Sequence, residues 1–242
     1  MRVGWKDPRA LTIVRAQVKQ PSVHAKVLEP HVGYLQISKF AEATNADVAA
    51  ALADLKKQDA LGSLVLDLRD DPGGLVDQAI LVADQFLDGG TIVTIRGRQG
   101  SVEQQNAHKG GIAIGVPVIA LVDQGTASAA EILAAALHDH GRAKLVGTKT
   151  YGKGTVQTFY DLDDGSGLKL TTARYLTPKG NSLESKGIIP DVIIDSFAPE
   201  EIVGGGGAGS GNGATIKEAG TDDPQLAAAV QLAKQAARGA NK

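Results

Sequence analysis

The sequence predicts an α/β domain with parallel strands, on three observations. Two short runs, residues 63–68 and 116–123, are apolar almost throughout, as in strands buried on both faces. Segments with helical apolar spacing separate such runs. Glycine- and proline-rich turns mark each change of pattern. Strands alternating with helices imply parallel pairing through helical crossovers.

The elements follow in chain order. Residues 10–38 read as strands broken by turns, with apolar runs at 11–14 and 31–37 flanking Pro21 and Pro30. A helix is expected over 46–58, capped by Thr44 or Asn45, with Val48, Leu52 and Leu55 on one stripe. The buried run 63–68 ends in the turn Asp70-Asp71-Pro72-Gly73-Gly74, and a helix over 75–87 follows until Gly89-Gly90 stops it. Residues 91–96 read as a strand and the polar stretch 97–111 as an exposed loop. The second buried strand, 116–123, precedes a helix over 128–140 with Gly141 as its C-terminal cap. A strand over 143–147 comes next, then a hairpin of 156–160 and 168–175 around Asp163-Asp164-Gly165. After about Asp195 the run Gly204-Gly205-Gly206-Gly207-Ala208-Gly209-Ser210-Gly211 reads as a flexible linker. An Ala/Gln/Leu-rich helix over 223–238 is expected to dock weakly or stay free.

Composition bounds the function. The 242 residues suffice for one domain of about 150–200 residues with extensions. Aromatics are 4% of the chain, so Val, Ile, Leu and Ala must build the core. Net charge is −2 with both signs mixed, which offers no basic stripe for nucleic acid. The absence of cysteine excludes disulfides, thiolate zinc sites and a cysteine nucleophile. No apolar run is long enough to span a membrane, and residues 2–9 lack the apolar core of a signal peptide. The chain is expected to be cytoplasmic or to have lost its natural N-terminus.

Chemistry concentrates in three places. Ser128 opens a helix within Gly125-Thr126-Ala127-Ser128-Ala129-Ala130-Glu131-Ile132. A hydroxyl there serves as an N-cap, or as a nucleophile whose oxyanion the helix N–H groups would hold. Lys153 lies in the tight turn Tyr151-Gly152-Lys153-Gly154. As a general base it must be neutral, which burial and nearby N–H dipoles favour; as an ordinary turn lysine it would be exposed. Lys149 and Lys144 compete for the role, and spacing does not separate them. Gln157 could orient such an amine through its amide. The third place is the turn at Gly73-Gly74, where the backbone can approach a ligand and supply a second oxyanion donor.

Two other readings fail on the residues. Gly147-Thr148-Lys149-Thr150-Tyr151-Gly152-Lys153-Gly154 follows a phosphate-binding loop up to its lysine, but Gly154 stands where Ser or Thr must hold magnesium. Histidines 24, 31, 108, 138 and 140 are scattered, and no metal site is expected.

These motifs converge on a family. The run 11–194 resembles the carboxyl-terminal processing peptidases (tail-specific proteases), serine peptidases with a Ser–Lys dyad. Besides the segments at Ser128 and Lys153, the resemblance rests on Asp67-Leu68-Arg69 with Pro72-Gly73-Gly74, Gly141-Arg142-Ala143, Arg174-Tyr175-Leu176-Thr177-Pro178 and Gly187-Ile188-Ile189-Pro190-Asp191-Val192. It implies Ser128 as nucleophile, Lys153 as base and Gln157 as the lysine-orienting amide. The backbone N–H groups of Gly73 and Ala129 would form the oxyanion hole. It also implies a crotonase/ClpP-like α/β core, protein or peptide substrates and no cofactor. Activity is expected to rise with pH through roughly 7–8.

The chain departs from the family pattern at Asp71, where Asn is usual, and at Ala130, where Ser is common. Members carry a signal or anchor and a PDZ domain ahead of the core. The expected organisation is therefore a PDZ remnant over 1–15, a catalytic core over 16–195, a glycine-rich linker over 196–222 and a helix over 223–242, in a shortened chain. The family implies a periplasmic or otherwise extracytoplasmic setting. A catalytically inactive peptide-binding fragment and a crotonase-type acyl-thioester enzyme stand as alternatives.

Overall fold

The structure is a computed structural model that describes residues 21–98, 100–195 and 223–240. The expected PDZ remnant and glycine-rich linker lie outside the described residues. In chain order the elements are β1 (Val23–Glu29), β2 (Val32–Ile37), α1 (Thr44–Lys57), β3 (Ser63–Asp67), α2 (Val76–Asp84), β4 (Thr91–Gly97) and β5 (Val102–Asn106). There follow β6 (Val118–Val122), α3 (Ala129–Asp139), β7 (Ala143–Gly147), β8 (Thr155–Asp161), β9 (Gly167–Leu176), β10 (Val192–Ile193) and α4 (Pro224–Ala240).

A six-stranded sheet in the order β1-β2-β3-β6-β7-β10 forms the centre, and a four-stranded sheet, β5-β4-β9-β8, stands beside it. Strands β2, β3, β6, β7 and β10 run parallel, and β1 pairs antiparallel with β2. Every residue of β3 and β6 is buried, which explains their unbroken apolar character. Leu64, Leu66, Ala120, Val122 and Leu145 pack with the buried residues of α1, α2 and α3 into the main core. On the opposite face Val65, Ile119, Leu121 and Val146 meet Leu226, Ala229 and Ala233 of α4.

Three expectations change. Helix α4 is seated on the sheet, not free: its buried stripe covers the second face, and the Arg69 guanidinium holds Asp223 (3.0 Å) and Gln225 (3.1 Å) at its start. Gln225 in turn donates to the Ile194 carbonyl at 2.7 Å. The stretch 97–111 contains a strand, β5, which is polar because it lies at a sheet edge with its side chains mostly exposed. The start of α1 is not capped by a side chain of its own. Thr44 Oγ1 instead accepts the Ala41 N–H at 2.8 Å, and the Asn45 N–H goes to Gln78 on α2. Among the described residues no helix is long and apolar enough to cross a membrane.

Parallel strands place their carboxyl ends side by side, and ligand sites of open α/β sheets lie there. Here the neighbours β3, β6 and β7 end at Asp67, Val122 and Gly147. The loops leaving them carry Gly73, Ser128 and Lys153 in turn.

Candidate active site

The loop after β6 is fixed by one carboxylate. Asp123 Oδ1 accepts the N–H groups of Gly125 (2.9 Å) and Thr126 (3.0 Å) and, across to the loop after β3, that of Asp70 (3.0 Å). Thr126 Oγ1 donates to the Leu68 carbonyl at 2.8 Å, so the two loops are tied together twice. The chain then turns sharply into α3 at Ser128, whose φ is 56° and ψ −116°. A positive φ at a residue with a Cβ is strained backbone. Ser128 remains half-buried between the buried residues Ala127 and Ala129, so its hydroxyl is reachable at the start of the helix.

Glycine is required at position 73. A Cβ there would lie 2.7 Å from the Ala127 carbonyl oxygen, 2.9 Å from the Ala129 nitrogen and 2.9 Å from the Ser128 Cβ. Gly73 is therefore packed closely against the backbones of Ala127 and Ala129 and the Cβ of Ser128. Phe40 secures the turn from the other side: its N–H donates to the Gly73 carbonyl (2.9 Å) and its carbonyl accepts the Leu75 N–H (2.8 Å).

The two expected oxyanion donors differ in state. The Ala129 N–H makes no hydrogen bond among the described residues. The Gly73 N–H donates to Asp71 Oδ1 at 2.8 Å. Asp71 is fully buried and its Oδ2 has no partner. Burial raises its pKa to about 7, against the smaller lowering by the Gly73 N–H.

Glu131, in the first turn of α3, is the residue that joins the serine and lysine loops. It is fully buried. Its Oε1 accepts the Thr150 hydroxyl (2.5 Å) and the Gly152 N–H (2.8 Å). Its Oε2 accepts the Ser128 N–H (3.0 Å) and the Lys153 N–H (2.8 Å). One oxygen thus reaches both main chains, which makes Ser128 and Lys153 close neighbours. The turn is held further by the Tyr151 N–H on the Thr126 carbonyl (3.0 Å) and the Ser185 N–H on the Gly152 carbonyl (2.8 Å). In the sequence Glu131 stands out only as part of the motif around Ser128. The signal was present, since Ser-x-x-Glu at a helix start is a capping pattern.

The side chains of Lys153 and Gln157 are exposed, and neither makes a hydrogen bond or ion pair among the described residues. The main chain of Lys153 is therefore placed beside Ser128, while its side chain is exposed and makes no hydrogen bond to the serine. The competing lysines sit elsewhere: Lys144 lies within β7 opposite Ile119, and Lys149 is exposed earlier in the loop. Among the described residues no group of three or more His, Asp or Glu side chains is arranged to hold a metal ion.

A family model described as peptidase family S41 matches residues 31–194. A carboxy-terminal-processing protease of Bartonella bacilliformis is 44% identical over 207 residues, covering 84% of this chain and 48% of the relative. The carboxy-terminal processing protease CtpA of Bacillus subtilis is 42% identical over 183 residues, covering 75% of this chain and 39% of that protein. The solved photosystem II D1 C-terminal processing protease superposes with a TM-score of 0.68 at 37% identity, over 75% of this chain and 50% of that one. This chain spans about half the length of these relatives, or less.

Proposed function

The chain belongs to peptidase family S41, and we propose that it is the core of a serine endopeptidase that processes protein substrates near their C-termini. Ser128 is the nucleophile, Lys153 the general base, Gln157 the amide that orients the lysine, and the Gly73 and Ala129 N–H groups the oxyanion hole. The observation that carries this reading is the shared Glu131 oxygen, which holds the Ser128 and Lys153 N–H groups at 3.0 and 2.8 Å. With both main chains on one oxygen, a lysine side chain is long enough to reach the serine hydroxyl.

The chemistry follows. Ser128 Oγ bonds to the scissile carbonyl carbon as its proton passes to the neutral Lys153 amine. The carbonyl oxygen becomes an oxyanion against Ala129 and Gly73, each such donor being typically worth about 3–4 kcal/mol. The carbon–nitrogen bond then breaks, and Lys153 returns the proton to the leaving amine. Water attacks the acyl-serine ester with Lys153 again taking a proton, which releases the acid and restores the hydroxyl. Gly73 can serve only after its N–H leaves Asp71, so substrate must compete with that carboxylate. The segment 1–15 is assigned to a remnant of a PDZ domain, and the working compartment to the periplasm or another extracytoplasmic space.

Cleavage of an unfolded protein such as casein tests the reading. Wild type should cleave, and Ser128→Ala and Lys153→Ala should not. Cleavage that survives either substitution would overturn the assignment.

A further inference from the structure

Beside the Lys153 turn lies a cleft of about 790 Å³ lined by Arg96, Arg98, Arg174 and Lys186. Its walls come from β4, β9 and the turn that carries Gly180, Asn181 and Ser182. Arg96 and Arg174 are directly opposite one another in the antiparallel register of β4 and β9. Like charges in that position repel. Arg98, two residues beyond Arg96, adds to the same face. None of the four cations forms an ion pair among the described residues. The acid nearest in sequence to Lys186, Glu184, is engaged elsewhere, accepting the Gly154 N–H at 2.9 Å. A chain whose net charge is −2 has thus gathered four uncompensated cations at one cleft.

The cleft shares backbone with the proposed catalytic loop. Arg174 pairs with Thr155, two residues after Lys153. The Tyr175 N–H donates to the Gly154 carbonyl at 2.8 Å, and the Ser185 N–H, next to Lys186, to that of Gly152 at 2.8 Å. A polypeptide that places its scissile bond at Ser128 has this cleft within reach of its flanking residues. Arginine forks match carboxylates in bidentate pairs.

We propose that this cleft binds an acidic segment of the polypeptide substrate, flanking the bond to be cut. The proposal rests on the peptidase reading above. An acidic peptide fits better than nucleic acid because the basic surface is one short cleft beside the Lys153 turn, not an extended stripe.

The test measures fluorescence anisotropy of a labelled Asp/Glu-containing peptide on the full chain carrying Ser128→Ala, which prevents turnover. The comparison ligands are the same peptide with Asn/Gln at those positions and a single-stranded oligonucleotide. The acidic peptide should bind about tenfold more tightly than the neutral one, with the preference falling as salt rises. Arg96→Gln with Arg174→Gln should abolish it. Should that pair unfold the sheet, the exposed Arg98→Gln and Lys186→Gln replace it, with circular dichroism as the check. Equal binding of both peptides, or a preference that survives the substitutions, overturns the proposal. Tighter oligonucleotide binding lost with the same arginines overturns it in favour of nucleic acid. Cleavage by the chain with Ser128 intact is scored separately. Binding preference without cleavage sinks the peptidase reading and, with it, the assignment of the peptide as substrate; cleavage without preference sinks the cleft alone.

Discussion

The turn that carries Ser128 and the turn that carries Lys153 leave neighbouring strands, β6 and β7, but they are held in different ways. Around Ser128 the hydrogen bonds of Asp123 and Thr126 fix the loop and the contact with Gly73 closes it, so the strained backbone at Ser128 is over-determined. Around Lys153 the Thr150 hydroxyl and the Gly152 and Lys153 N–H groups are anchored on Glu131, but the Lys153 side chain itself is exposed and without a partner among the described residues. On the proposed roles, the nucleophile is thus pre-placed while the base is left without a fixed partner. That division suits the proposed dyad, closing when substrate arrives and excludes water, and Glu131 is the point where the anchored and free halves meet.

The largest effect should come from breaking that joint. Glu131→Ala removes the acceptor of four donors, and Thr150 and Gly152 are themselves buried. Leaving a buried donor unsatisfied costs about 1–3 kcal/mol, so a loss of several kcal/mol is expected in urea denaturation, together with loss of cleavage. Glu131→Gln keeps the volume but turns an amide N–H towards two of the four donors, and should fall between. A change below about 1 kcal/mol for the alanine variant would mean that the two turns are held independently.

How much of this was legible follows from the kind of signal each element leaves. Strands β3 and β6 announce themselves because burial on both faces demands continuous apolar residues. The small-residue start of α3 and the Gly73 turn were legible because close backbone contact tolerates no bulk. Strand β5 was missed because an exposed edge strand has no apolar face to alternate, and Val-Glu-Gln-Gln-Asn reads as loop. Helix α4 reads as weakly docked or free because Leu226, Ala229 and Ala233 form a thin stripe, and its polar anchor, Arg69 on Asp223, joins residues far apart in sequence. Glu131 and Asp71 share the same difficulty. Each is a carboxylate that sequence alone assigns to solvent, and each is buried only because another segment returns over it.

Asp71 offers the next largest effect, and it sharpens the comparison because it belongs to the rigid half. Its folded pKa of about 7 lies above the ordinary value of 3.8, with burial as the main cause. The folded state therefore binds the proton more readily than the unfolded chain. The resulting destabilisation is absent below about pH 4, grows as pH rises from there to about 7, and is constant above. Asp71→Asn preserves an acceptor for the Gly73 N–H and removes the charge. It should be more stable than wild type by up to a few kcal/mol at pH 8, since one pH unit is worth about 1.4 kcal/mol. The difference should vanish on acidification to pH 4. A gap that is independent of pH would show that the carboxylate is not the source of the cost.

The smallest effect on stability should come from the free half itself. The Lys153 side chain is exposed and makes no hydrogen bond or ion pair found among the described residues, while the N–H that Glu131 holds is retained by any residue but proline. Lys153→Ala should therefore lie within about 0.5 kcal/mol of wild type in denaturant, as surface substitutions do, even as it abolishes cleavage. Thermal melts of the two proteins side by side, with casein cleavage measured on the same samples, check both halves of that statement. A destabilisation of 2 kcal/mol or so, of the size a lost buried contact gives, would place the amine in a packed site in the resting enzyme. The distinction drawn between a pre-placed nucleophile and a mobile base would then fail. Equal stability with activity lost would instead locate the contribution of Lys153 in the bound state, where closing the dyad rather than folding the core does the chemistry.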